Sequence, residues 1–352
     1  MDAAGTAGAP NLTVTFWGVQ GSCPSFPSRS DIEDFAIEST DRAQRGAGSA
    51  FFSESPRLPR PEFPFYGGET TCVEVVTAEK NTLLFDLGSG LRDFSRHAAD
   101  HWGDRPRQLN IFLSHEHLDH RNGFAFAGIF HDPQRPFDVV IHGTRQALAA
   151  LDSRYGIFSR SITSTMHVDD PVDYRMLSAS FRAVEAGTAP IAVGRTIVTP
   201  FEVYHGNTAC LGYRVEHAGS SFVFCTDHEL RRGPDANDPR QLRSLAAERR
   251  LREFCQNIDL AYFDGQYQLA EYRGEIGIGA RPAASRLDWG HSCMEDVIER
   301  AEGCRVRRAL IGHHDPDRPW RQRRAFNCLL HEQTAAGACR IEMAKAGETI
   351  EI

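Results

Sequence analysis

The sequence predicts an α/β protein of two layered β-sheets with helices on the outside, on three observations. Short β-type runs recur along the whole chain, several close enough in succession to form hairpins. Helical patterns lie between and after them. Of the 352 residues, 41% are hydrophobic, enough for a substantial core. Hairpin-bearing sheets must cover their apolar faces, and interspersed helices supply the cover.

In chain order the strand-like runs are TVTFWG (13–18), CVEVVT (72–77), NTLLFDLG (81–88), LNIFLS (109–114), FDVVIHG (137–143), RTIVTPFEVYH (195–205), LGYRVEHAG (211–219), SSFVFCTD (220–227), LAYFDGQY (260–267), VRRALIGH (306–313) and RIEMAKAGETIEI (340–352). Helical patterns occupy 90–102, 144–156, 238–257, 291–303 and 319–337. No internal repeat is present, so a single domain over 1–352 is expected. One segment breaks the rhythm: residues 25–65, rich in Ser, Pro, Arg and Phe, read as an insertion, either a disordered surface loop or an ordered lid or contact surface.

Composition excludes several classes. No run approaches the ~18 apolar residues of a membrane span, and the opening MDAAGTAGAPNLT lacks a basic start and an apolar stretch, so a cytoplasmic protein without membrane partners is expected. Nine scattered cysteines with no C-x-x-C pair argue against a disulfide framework or a structural zinc knuckle. The formal charge of −8, with lysine only at 80 and 345, offers no footprint for a long nucleic acid. An anionic substrate must then be attracted locally. The association state, homodimer included, is left open.

That local attraction has a candidate in LSHEHLDHRNG, residues 113–123, which follows the apolar run LNIFL at the strand end where open α/β sheets place ligands. His115 and His117 alternate along the backbone, while Asp119 and His120 are adjacent, so the first two imidazoles can meet at one metal and the next two groups at a second. Imidazole and carboxylate suit zinc, with manganese or iron as alternatives. Two metals need more donors, and His205, Asp227 and His313 each close an apolar strand-like run.

With these residues in place, the chain resembles the metallo-β-lactamase fold superfamily, whose signature is H-x-H-x-D-H followed by a His, an Asp and a final His. The resemblance implies an αβ/βα sandwich of two mixed sheets flanked by helices. It also implies one divalent ion on His115, His117 and His205, a second on Asp119, His120 and His313, and Asp227 between them. Class B β-lactamases generally carry Cys where this chain has Asp227, which disfavours that activity. WGHSCMEDVIERAEGCRVRRALIGHHDPDR, HGNTACLGYRV, YGGETTCVEV and LLFDLGSGLRDF look like the ribonuclease Z and bacterial phosphodiesterase branch. Departures are Ser292-Cys293 where Ser-Thr is common, the insertion, and the lack of a Gly/Pro arm that grips transfer RNA.

Two such ions and their ligands leave a core of about +1, which attracts a phosphodiester, and the ions activate water for attack. The expected reaction is hydrolysis of small phosphodiesters such as cyclic nucleotides. A thioester, lactone or lactam hydrolase and a metal-binding sensor without turnover are the alternatives. Asp119 is carried as both ligand and catalytic group. His291 is expected to be the acid that protonates the leaving alkoxide, because Ser292 reads as the N-cap of the next helix, with Glu295 completing a capping box. Asp86 and Asp264 are expected to hydrogen-bond metal histidines, with turn-forming Asp as the alternative. His314, with Asp315 and Arg318, is placed at the mouth or in turn chemistry, and His228 beside Asp227 is ambiguous. Gly21 and Ser22 of GVQGSCP either approach the cleft or form an ordinary Gly-rich turn.

Overall fold

The computed structural model describes residues 10–29, 31–33, 66–159, 176–334, 337 and 339–352. Most of the insertion expected at 25–65 lies outside the described residues.

Two sheets, each of seven strands, form the centre of the protein. In the first, β1 (Leu12–Gly18), β2 (Cys72–Thr77), β3 (Thr82–Phe85), β4 (Gln108–Phe112), β5 (Asp138–Gly143) and β6 (Ser180–Glu185) lie side by side in chain order, and β14 (Glu348–Glu351) pairs antiparallel with β1. The second runs from β7 (Ile191–Val193) through β8 (Thr196–His205), β9 (Thr208–His217), β10 (Ser220–Cys225), β11 (Leu260–Asp264) and β12 (Arg308–Gly312) to β13 (Arg340–Met343). Hairpins join β7 to β10, whereas β10 to β13 are parallel. Both sheets are therefore mixed, as the αβ/βα sandwich requires.

Side-chain alternation explains the layering. In β1 the buried residues Leu12, Val14 and Phe16 face inward and meet Val215, Phe222 and Tyr262 of the other sheet in one buried cluster. Burial of each such side chain contributes roughly 1.5–3 kcal/mol, and this layer contains many. The outer face of the first sheet packs Leu84 and Ile111 against Leu91 and Phe94 of α1 (Leu91–His101) and Leu148 of α2 (Arg145–Tyr155). Helix α2 starts on Thr144, whose side chain accepts from the Ala147 N–H. The second sheet is covered by α3 (Pro239–Phe254), α5 (Met294–Gly303) and α6 (Trp320–Thr334), with Leu251, Val297 and Leu330 in the same buried cluster as Phe263 and Ile311. A single turn, α4 (Leu269–Tyr272), follows β11.

Three details differ from the sequence reading. The run RIEMAKAGETIEI is two strands in different sheets, because the chain turns at Gly347 (φ 78°) and β14 crosses to β1 while β13 stays on β12. Strands β6 and β7 were not expected, since β6 is largely exposed and has no inward-facing apolar period. The third concerns α5: its N-cap is Cys293, with no side-chain cap bond, so Ser292 and Glu295 form no capping box. Ser292 Oγ instead donates to the His228 carbonyl, and Glu295 accepts from the Leu269 N–H at 2.9 Å.

Strand ends place the polar residues together. Asp86 follows β3, His115 lies just past β4, His205 ends β8, Asp227 lies just past β10, Asp264 ends β11 and His313 follows β12. These are the ends at which open α/β sheets form crevices.

Candidate metal centre

Donor atoms from four segments of the chain converge between the sheets. One group within ligand range of a common point is His115, His117, His205 and Asp227; a second is Asp119, His120 and His313. The Asp227 carboxylate lies between them. Its Oδ2 is 3.5 Å from the Nε2 of both His115 and His205, while its Oδ1 is 3.3 Å from His120 Nε2 and 3.2 Å from His313 Nε2. Asp119 Oδ2 stands 3.3 Å from His120 Nε2 and 3.4 Å from His313 Nε2.

The rings are turned by hydrogen bonds at their far nitrogens. His120 Nδ1–H donates to Asp86 at 2.7 Å, and His205 Nδ1–H donates to the Gly290 carbonyl at 2.8 Å. His313 Nδ1–H donates to Gln266 Oε1 at 3.1 Å. Ser114 Oγ donates to Asp86 Oδ2 at 2.8 Å, so it accepts from His115 Nδ1–H at 2.9 Å. In its neutral form each of these four histidines thus presents the lone pair of Nε2 to the cluster, the tautomer a metal ligand needs. His117 is turned the other way, with Nδ1 3.1 Å from His205 Nε2 and Nε2 3.3 Å from Thr208 Oγ1, on the exposed side.

A cation fits this donor set for two reasons. Buried Nε2 atoms of His115, His120 and His313 have no hydrogen-bond partner. Moreover, Asp86, Asp119, Asp227 and Asp264 are all at most 8% exposed, and among the described residues their ion-pair partners are histidines, with no Lys or Arg. Buried carboxylates without permanent positive charge are costly, and divalent ions supply that charge.

Proton affinities show the same imbalance. Burial alone would raise the Asp227 carboxyl, but His313, His120 and His115 outweigh it and hold it well below the usual carboxylate range. Burial opposes protonation of His120, yet Asp119, Asp227 and Asp86 lift it well above an ordinary imidazole. His205 is pushed down to about 4, chiefly by burial.

Backbone strain is concentrated here. Asp86 (φ 59°), Asp227 (φ 46°) and His313 (φ 52°) occupy the left-handed region, a conformation costing about 1–3 kcal/mol that persists only where surrounding contacts enforce it. Close approach also demands glycine. A Cβ on Gly21 would lie 2.4 Å from His313 Nδ1, and one on Gly290 (φ 89°) only 2.1 Å from His205 Nδ1. Gly290→Ala is therefore expected to turn His205 off its carbonyl and weaken metal retention about 10–100-fold, the usual effect of losing a ligand's orienting bond. Competition with a chelator measures it, and unchanged retention would remove the orienting role.

Of the remaining residues, His291 forms a third group within ligand range together with Asp227 and His313, and the others lie behind the donors. His291 Nδ1 lies 3.0 Å from Asp264 Oδ2 and 4.0 Å from Asp227 Oδ2. Burial lowers its proton affinity, but Asp264, Asp227 and Asp119 raise it more, to about 9. Asp264 also accepts from the backbone N–H groups of Gln266, His228 and Ser292, so it serves His291 rather than one of the seven expected metal ligands. His314 does not line the mouth: it is buried, with Nε2–H donating to the Ala344 carbonyl at 2.9 Å. Asp315 and Arg318 are buried too, the latter gripping Glu271. His228 points away, with Nε2 3.0 Å from Glu248, which pairs with Arg300.

Most of the supporting contacts lie beyond the sequence reading, while Ser22 realises the approach to the cleft that GVQGSCP offers. Gln266 and Thr208 touch metal-facing rings, and the Ser22 N–H donates to Asp119 Oδ2 at 2.9 Å. Buried Glu229 accepts from the N–H groups of Asp288 (2.9 Å) and Gly290 (3.0 Å) and from the Tyr272 hydroxyl, fixing the loop that carries His291. Local signal existed only for Gly21-Ser22 and for the strand-end position of Gln266.

Residues 81–314, more than half of the chain, match the beta-lactamase superfamily domain. The chain belongs to this family. No curated protein sequence matches it. Among solved structures, a diphosphatase of the PhnP family aligns at 16% identity with TM-score 0.55, covering 97% of this chain and 98% of its own. Zn(2+)-bound PqqB from Methylobacterium extorquens aligns at 15% identity and TM-score 0.57, over 97% and 100% of the two chains. Unliganded yeast PDE1 aligns at 12% identity and TM-score 0.58, over 98% and 100%. At these identities the likeness is one of fold. Family membership and the donor cluster together support a metal-dependent hydrolase, and among the described residues no helix is long and apolar enough to cross a membrane.

Proposed function

We propose that the protein hydrolyses phosphodiester bonds in small substrates, cyclic nucleotides among them, with two divalent ions, zinc foremost. The carrying observation is the Asp227 carboxylate, whose two oxygens each face a separate histidine group. In this reading His115, His117 and His205 would hold one ion and Asp119, His120 and His313 the other, with Asp227, which faces both groups, available to both. Bound there, the ions would supply Lewis acidity and activate water for attack. The fold shared with a PhnP-family diphosphatase and yeast PDE1 supports phosphate-ester chemistry, and the shared fold of Zn(2+)-bound PqqB supports zinc.

The chain's own groups take the remaining roles. Asp86, Gln266 and the Gly290 carbonyl keep three imidazoles in the ligating tautomer. His291, with Nδ1–H held by Asp264, has Nε2 to deliver a proton to the departing alkoxide oxygen. The exposed side at His117 is the way in for substrate.

Metal analysis of the saturated protein is expected to return two ions per chain, and His313→Ala to lower that number. One tightly held ion, with His313→Ala unaffected, would end the two-metal reading. A substrate panel on zinc- or manganese-loaded enzyme decides the chemistry: bis-aryl phosphate and cyclic nucleotides should turn over ahead of lactones, thioesters and cephalosporins. The reverse order would assign the site to carboxyl derivatives, and no turnover to a sensor.

A further inference from the structure

Beyond Gly18, where β1 ends, residues 19–23 form a strap between the two sheets. Gln20 makes one parallel bridge with Thr70, just before β2, and another with His314, just after β12. Main-chain bonds fix that course. The N–H groups of Val19 and Gln20 each donate to the Glu69 carbonyl at 3.0 Å, the His314 N–H donates to the Val19 carbonyl at 3.0 Å, and the Gly21 N–H donates to the His314 carbonyl at 2.9 Å. The buried Gln20 side chain adds a further tie: its Nε2 donates to the His314 carbonyl at 2.9 Å, and its Oε1 accepts from Arg323 at 3.0 Å.

So anchored, the strap touches two members of one donor group. Gly21 packs directly on the His313 imidazole, where a Cβ would fall 2.4 Å from Nδ1 and 2.5 Å from Cε1. Ser22 then turns its N–H onto Asp119 Oδ2 at 2.9 Å, the oxygen that stands 3.3 Å from His120 Nε2 and 3.4 Å from His313 Nε2. Besides those imidazoles, the Ser22 N–H is the one donor on this carboxylate among the described residues. Ser22 is strained in doing so. Its φ is 62°, and the Cys23 N–H returns to the Gly21 carbonyl at 2.7 Å, closing the rare form of a three-residue turn. Such strain persists only where the surroundings enforce it, and the enforced conformation is the one that aims an N–H at Asp119. The other donor group has no such contact: His115, His117 and His205 are met by Ser114, Thr208 and Gly290, none of them in the strap.

We propose that the strap, through Gly21 and the Ser22 N–H, is the positioning element for the ion at Asp119, His120 and His313 alone, so that this ion is retained independently of the one at His115, His117 and His205. This rests on the two-ion reading of the centre. The N–H fixes which Asp119 oxygen faces the imidazoles, and that oxygen keeps a second lone pair for an ion. Gly21 leaves His313 no room to tilt off Gln266, the acceptor that orients it. The strap thereby sets whether the centre holds one ion or two.

The test follows zinc in the loaded wild type, Gly21→Ala and Ser22→Pro during dialysis against graded chelator, with elemental analysis at each step. Gly21→Ala crowds His313, and Ser22→Pro deletes the N–H on Asp119. Two changes at different ligands should therefore weaken retention of the same single ion, about 10–100-fold each, and leave the other at its wild-type value. Ser22→Gly keeps the N–H and suits the positive φ, so it should retain both ions. A merely structural strap would loosen both ions together, or neither, and either result overturns the proposal. Placement is checked in the background of His313→Ala, where adding Ser22→Pro should cost no further metal because the ion it serves is already lost; a further loss would put the effect at the other ion and sink the idea. Where Ser22→Pro does not fold, Gly21→Ala is read on the same chelator curve. A wild type that holds a single ion ends the two-ion reading, and the strap is then judged by whether the variants loosen that ion. Two ions in the wild type, lost in parallel by the variants, sink only the role of the strap.

Discussion

Asp227→Ala is expected to disturb both metals at once and to lower turnover by about 10³-fold or more, beyond the 10–100-fold typical of losing a group behind a ligand. The carboxylate opposes His115 and His205 with one oxygen and His120 and His313 with the other, so no other side chain can take over its position between the two groups. Its removal leaves those histidines facing one another without the anion that relates them. Because Asp227 has φ 46°, alanine also strains the backbone, and Asp227→Asn is the necessary companion: asparagine tolerates that conformation, keeps the volume and removes the charge. Both variants should lose metal on dialysis, measured by elemental analysis alongside kcat. If either keeps two ions and only KM rises, Asp227 does not bridge.

Much of this centre could be read from the chain because its donors follow apolar runs. A buried strand must end where the sheet ends, so a His or Asp directly after it emerges at the sheet edge; His115, His205, Asp227 and His313 were placed together on that reasoning, and the structure brings them within reach of one another. The supporting contacts were illegible for the opposite reason. Ser22 reaches Asp119 across 97 positions and Gly290 reaches His205 across 85, and neither pair has a periodic pattern to announce it. Ser292 misled because its spacing to Glu295 satisfies a local capping rule, whereas the structure spends the hydroxyl on the His228 carbonyl and starts the helix one residue later. Local propensity gave way there to a tertiary bond that ties the His291 loop to the strand end carrying Asp227. The two layers of the sandwich were visible in the alternation of strands such as β1, while exposed β6 and the crossing of β14 were not.

Loss of His291 should depend on the leaving group. Its Nδ1–H is engaged by Asp264, it stands outside the two principal donor groups, and it is only partly buried, so Nε2 is the atom with a task. If that task is protonation of the departing oxygen, His291→Ala costs about 10²–10⁴-fold on an alkyl or ribose phosphodiester, whose alkoxide leaves poorly unaided. A nitrophenyl phosphodiester, which releases a stable phenolate, should lose far less. Metal content should stay at the wild-type value in both experiments. His291 does share a donor cluster with Asp227 and His313, so metal analysis is part of the measurement: a missing ion would make it a ligand. Equal losses on the two substrates with both ions in place would instead make it a clamp on the phosphoryl group. Asp264→Asn adds an independent arm, since weakening the Nδ1 bond should reproduce a fraction of the same leaving-group dependence while leaving the imidazole present.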